Sequence, residues 1–159
     1  ALADLAFSKA VLARWRGDAE AAYVQLDVAT GLLGEESERA SIRAATHDLL
    51  GYLAEDLDKA RTHRGAAYQA AVESGHATAI ANVLVGIADL ALRHEEYEQA
   101  TRLVAASTAV RGLPDLANPD LVRIEQTTRR RIGEARFAEA TREGTATDWS
   151  ELVAVTLAG

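Results

Sequence analysis

The side chains with the widest chemical repertoire are four histidines, His47, His63, His76 and His94, in a chain that has no cysteine. Zinc binding or general-base work asks for pairs such as H-x-x-x-H or H-E-x-x-H, which place two groups on one helical face. None of the four has such a neighbour, and the 16-residue step from His47 to His63 matches no ligand spacing. His47 falls at an inward position and reads as a satisfied core histidine. The serines at 8, 37, 41, 74, 107 and 150 lack the G-x-S-x-G elbow of an activated nucleophile, and no G-x-x-x-x-G-K-[ST] phosphate loop occurs. Glu35, Glu36 and Glu38 precede an expected helix start, where acids favour the positive end of the helix dipole. The expectation is a protein that is not an enzyme, with no cofactor and no metal.

One basic cluster exists, Arg129-Arg130-Arg131, with Arg123 and Arg136 expected on the same helix. Three consecutive residues spread over about 200° of a helix, so they cannot focus on one ligand. Glu125, Glu134 and Glu139 are in reach as partners along the helix, and no aromatic residues interleave for base stacking. A solvated, salt-bridged face is the reading. The formal net charge of −7 also argues against direct nucleic-acid or anionic-membrane binding.

The elements that must position any site are helical. Alanine supplies 34 of 159 residues and only two prolines occur, a bias that favours helix because alanine loses no side-chain entropy there. Nothing alternates like a strand and no hairpin turn is present. The most apolar window, 79–92, is interrupted by Asn82 and Asp89 and is too short to span a bilayer, so it is expected as a buried helix. No signal peptide is evident, and the expected location is cytoplasmic. A chain with no methionine is expected to be a piece of something longer.

An internal repeat organises these helices. Trp15-Arg16-Gly17-Asp18-Ala19-Glu20-Ala21-Ala22 aligns with Leu53-Ala54-Glu55-Asp56-Leu57-Asp58-Lys59-Ala60 and with Arg93-His94-Glu95-Glu96-Tyr97-Glu98-Gln99-Ala100. In each, an acid can cap the coming helix, and an alanine four residues on lets two helices approach closely. The alanines 22, 60 and 100 fall 38 and 40 residues apart. Amphipathic stretches flank each motif, at 2–16 and 18–33, 37–54 and 56–74, 77–93 and 96–111. One hairpin cannot cover its own apolar face, so such units stack. The repeats are set at about 1–34, 35–75 and 76–112, within a single domain 1–159. After the break that holds both prolines, Asn118 and Pro119 start a helix expected to run to about Arg142 and stop at Gly144. Asp148 with Glu151 reads as a capping box for a last helix ending near Leu157, giving a C-terminal capping helix pair over 118–158.

This spacing resembles the tetratricopeptide repeat and its longer regulatory relatives. Leu84, Ile87, Ala88, Ala91, Tyr97, Ala100 and Val104 stand at the packing positions of that family. Its turn glycine is Gly17 in the first repeat but Glu55 and Glu95 in the others, and the middle repeat has His47 and Asp48 where leucine and a small residue are usual. From Ala100-Thr101-Arg102-Leu103 through Arg111-Gly112, Asn118-Pro119-Asp120 and Ile132-Gly133-Glu134 to Phe137, the chain resembles the closing segment of actinobacterial SARP/AfsR-like and LuxR-type regulators that carry a central ATPase.

The resemblance implies an all-α fold, an α-solenoid of about three antiparallel helix pairs, in the sensor or docking region of a transcriptional regulator. Its partner would be a protein or peptide segment, including the ATPase and DNA-binding domains of the same regulator, bound on the concave face. The repeat register puts Phe7, Arg14, Tyr52, Asn82, Asp89 and Arg93 on that face, with Asp89 and Arg93 spaced as an intrahelical ion pair. The open alternatives are a small-molecule effector sensor and a free-standing adaptor, and self-association into a homodimer is also left open.

Overall fold

The computed structural model describes all 159 residues, and every regular element in it is helical. In chain order these are α1 (Leu2–Trp15), α2 (Ala19–Leu33), α3 (Ala40–Leu53), α4 (Leu57–Ser74), α5 (Ala77–Arg93), α6 (Tyr97–Arg111), α7 (Pro119–Ile132), α8 (Glu134–Ala146) and α9 (Trp149–Ala158). A short 3-10 turn, Gly34–Glu38, joins α2 to α3 and holds the acidic run. The three glutamates therefore sit in a turn of their own, and α3 starts at Ala40, with Arg39 before it making no side-chain cap. No helix is long and apolar enough to cross a membrane.

Chain neighbours pack as pairs, α1 on α2, α3 on α4, and α5 on α6. The three aligned alanines, Ala22, Ala60 and Ala100, are all fully buried, which is what close approach of paired helices requires. Asp18 and Asp56 accept amide hydrogen bonds from the first turns of α2 and α4. Glu96 holds the same position before α6 but makes no side-chain cap, its extra methylene being a poor fit for so short a reach.

Two of the three turns share one backbone form. Gly17 has φ of 81° and Glu95 has φ of 60°, and the amides of Asp18 and Glu96 each reach back five residues, to Ala13 and Ala91. Glu95 is the only residue besides glycine with positive φ, so it carries the left-handed penalty of an L side chain. Glu95→Gly is expected to raise the free energy of unfolding by about 0.5–1 kcal/mol, the relief of strain exceeding the added freedom of the unfolded chain. Urea titration of the two chains checks this. The middle turn has no left-handed residue at Glu55, so there the glycine is not needed.

Helix α5 is the centre of the molecule: every residue from Val83 to Ala91 is buried. Its apolar side chains join those of α6, α7 and α9 in the main core, where Leu84, Ile87, Leu103 and Ile124 are fully enclosed. Smaller alanine-rich clusters lie between the earlier helices.

The C-terminal region differs from expectation. In place of one helix from Asn118 to Arg142, the chain breaks at Gly133, whose φ of 82° and ψ of 162° no L residue holds easily. The break lets α8 turn back onto α6. There Gly144, expected as a stop, lies inside α8 against the backbone of Arg102, where a Cβ would overlap the carbonyl. The capping region is thus three helices rather than a pair. Asn118 and Asp148 do cap α7 and α9, although Glu151 makes no return bond to complete a capping box.

Candidate functional site

A cleft of about 520 Å³ opens between α1, α3, α5 and the start of α7. Phe7 and Val11 form one wall, Ala44, Ala45 and Leu49 another, and Ala79 and Val83 a third. Four of the six residues expected on a binding face, Phe7, Arg14, Tyr52 and Asn82, line it. The other two, Asp89 and Arg93, do not.

Arg93 turns to the end of α3, donating to the carbonyls of Ala54 (2.6 Å), Glu55 (3.0 Å) and Gly51 (3.4 Å). A helix C-terminus leaves such carbonyls without partners, so the guanidinium ties two repeats together by capping one of them. Asp89, four residues earlier, forms no pair with Arg93. It is buried and accepts from Arg123 on α7 at 2.5 Å, with Arg64 on α4 at 3.9 Å. The expected intrahelical pair fails because stronger partners arrive from other helices.

Beneath the cleft runs a chain of alternating charges. Arg64, 1% exposed, donates through Nη1 to the Asp48 carbonyl (2.8 Å) and to Asp48 Oδ1 (2.7 Å). Two glycines make room for it. A Cβ on Gly51 would lie 2.7 Å from Arg64 Nε, and one on Gly86 would overlap Arg64 Nη1 and Asp48 Oδ1. The ring of Tyr52 has the guanidinium carbons of both Arg14 and Arg64 4.0 Å from its centroid. Arg14 grips Asp120 with both Nη atoms, and Trp15 Nε1 donates to the same carboxylate at 3.1 Å. Arg123 then links Asp120 (3.3 Å) to Asp89. Three arginines and three aspartates balance, as buried charge must.

The titration of these groups follows from their surroundings. Burial pushes the Asp48 carboxyl up to about 6, against the pull of Arg64 and Arg14, with Asp120 and Asp89 adding to the rise. Burial, then the Asp48 charge, raises the Tyr52 hydroxyl well above its usual range. Burial also works to raise Asp120, but the hydrogen bond and charge of Arg14, with Trp15 and Arg123, outweigh it and hold that carboxyl low. Asp48 lines the cleft with its side chain 19% exposed, and its Oδ2 accepts from no protein group. It is an acceptor this cleft can offer to a ligand.

Asp48, Arg64, Trp15 and Asp120 do not stand out in the sequence as site residues. A signal existed for two of them. Asp48 departs from the small residue usual in the repeat, and Arg64 interrupts the buried stripe of Ala60, Ala67 and Ala71 on α4.

Two of the histidines meet, and the arginines fall differently from expectation. His47 and His63, on facing helices, bring their Nδ1 atoms to 3.1 Å, so one imidazole donates to the other. Burial lowers both from the usual histidine range, helped by the charge of Arg43 on His47 and of His47 and Arg64 on His63. No three His, Asp or Glu side chains converge to hold a metal ion. The basic cluster dissolves into separate contacts. Arg123 joins the buried network, and Arg136, on α8 beyond the break, pairs with Glu98, Glu139 and Glu143. Arg129 pairs with Glu134 at 3.0 Å and lies over Phe137, while Glu125 pairs with none of them.

Fold and site define an all-α protein with a charged, partly apolar cleft between its helix pairs. No protein-family model, curated protein or solved structure matches the chain.

Proposed function

We propose that the chain is a non-catalytic helical-repeat module of tetratricopeptide type, serving a bacterial transcriptional regulator as an interaction or sensor domain. It takes a partner segment into the cleft between α1, α3 and α5. The observation that carries this reading is the cleft itself, whose lining Phe7, Arg14, Tyr52 and Asn82 share with the carboxylate of Asp48. The apolar walls suit a side chain of the segment, and Asp48 suits a donor or cationic group on it. The segment would come from another protein or from the ATPase or DNA-binding domain of the same regulator.

A second reading, an effector sensor, draws on the cleft's size. About 520 Å³ falls inside the range of roughly 300–1,000 Å³ usual for small-molecule sites. One experiment addresses both. Ala45 lines the cleft and is solvent-exposed, so Ala45→Trp is expected to fill it and leave the fold intact. Peptides from the regulator domains, and separately a metabolite panel, are screened by thermal shift. A ligand at 100 times its Kd adds about 2.7 kcal/mol to stability. The shift is expected with wild type and lost in Ala45→Trp, and the class of ligand that gives it separates the two readings. No shift from either panel removes both, and a shift that survives Ala45→Trp removes the cleft from the account.

A further inference from the structure

Eight of the twelve large exposed apolar side chains in the chain fall within its first 33 residues, each 42–69% exposed. They are not scattered. On α1, Leu2, Leu5 and Leu12 share a sector of about 80°, roughly opposite the cleft-lining Phe7 and Val11. On α2, Val24, Val28 and Leu32 recur every fourth residue, on the side away from Leu26, which packs on Leu49 and Leu53. Both stripes therefore lie on the one face of the α1–α2 hairpin turned away from α3. No other element of the chain covers this face.

Its charges indicate what covers it. Lys9 and Arg16 stand along the α1 stripe, seven residues apart, and α2 has no basic residue at all. Glu20 and Asp27 border the α2 stripe, also seven residues apart. All four are exposed, and none forms an ion pair within the chain. Because α1 and α2 run antiparallel from the turn at Gly17, Arg16 and Glu20 lie at the turn end. Lys9 and Asp27 both lie about two helical turns, roughly 10 Å, further along. A two-fold axis parallel to the helices lays α1 of one copy on α2 of the other and keeps these heights. It sets Arg16 against Glu20 and Lys9 against Asp27, twice each.

We propose that this face is a self-association surface, on which two copies of the chain meet through their α1–α2 hairpins. The apolar stripes form the centre and the four charge pairs fix the register, a role that complementary charges fill better than they supply affinity. Two helices of 14 and 15 residues make a small contact face, and association is expected at micromolar concentrations.

Sedimentation velocity of the whole chain between about 1 and 200 μM tests this. Wild type is expected to pass from monomer to dimer across that range. Lys9→Glu/Arg16→Glu makes both helices acidic, and Glu20→Lys/Asp27→Lys makes both basic, so each variant alone is expected to associate at least tenfold more weakly. Mixed in equal amounts they are expected to form a heterodimer of near wild-type affinity. All four positions are exposed, and unchanged circular dichroism confirms the fold of each variant. A wild type that stays monomeric, charge variants that dimerise as well as wild type, or a mixture that fails to associate would each overturn the proposal.

Discussion

Gly86→Ala is expected to lower the free energy of unfolding by about 3 kcal/mol, opposite in sign to what a helical glycine ordinarily predicts. Alanine in a helix interior is worth about 1 kcal/mol over glycine, and Gly86 lies in the middle of α5. A methyl group there would occupy the space of Arg64 Nη1 and Asp48 Oδ1. The guanidinium cannot retreat, because Gly51 is pressed against its other edge and the ring of Tyr52 covers it. Separating a buried ion pair costs about 3–5 kcal/mol, which outweighs the helical gain. Gly65 supplies the control. It lies in the interior of α4 with open space where its Cβ would go, so Gly65→Ala is expected to stabilise by about 0.5–1 kcal/mol. In an Arg64→Ala background the guanidinium is gone and the Asp48 carboxylate, no longer held by it, can turn aside, so the penalty of Gly86→Ala should shrink. Urea denaturation of the five chains, compared at equal m-values, decides it. Stabilisation by Gly86→Ala in the wild-type background would mean that Arg64 is not confined.

Why the sequence exposes some of this and hides the rest is a matter of distance along the chain. The helix pairs follow from local rules: an acid, a turn, and an alanine recurring at 22, 60 and 100, each satisfied within one or two helical turns. The break at Gly133 escapes those rules, since an isolated glycine between Ile132 and Glu134 is compatible with a continuous helix. Only the contact of Gly144 with the backbone of Arg102 requires α8 to turn back. The same division runs through the cleft. Phe7 and Arg14 on α1, Tyr52 on α3 and Asn82 on α5 line one cleft. Asp89 and Arg93 share a face as expected, but which arginine Asp89 prefers is settled by Arg123, 34 residues away. Arg14 and Asp120 are 106 residues apart. Long-range charge pairing leaves only an indirect mark: a polar residue where an alanine stripe predicts none.

Asp120→Ala is expected to cost about 2–4 kcal/mol and to loosen one end of the molecule before the other. The Asp120 carboxylate holds the end of α1 to the start of α7, accepting from Arg14, Trp15 and Arg123. Its side chain is 6% exposed and that of Arg14 is 14% exposed, so removing the acid strands a largely buried cation and an indole N–H. Arg123 keeps Asp89 and is less affected. The α1–α2 hairpin meets α3 through a small cluster, Leu26 with Leu49 and Leu53, whereas α5 and α6 lie in the main core. Amide exchange in α1 and α2 should therefore accelerate in Asp120→Ala well before exchange in α5 and α6 responds. Acid is expected to act in the same direction. Because the folded protein holds Asp120 below its ordinary range, the unfolded chain takes up that proton first as the pH falls. The stability Asp120 contributes is complete above the ordinary carboxylate range and is lost as the pH drops from there through its folded value. Asp120→Ala should show less acid sensitivity than wild type across that interval. Uniform exchange in both halves would show that the latch is not what holds the hairpin, and would separate α1 from the cleft it walls.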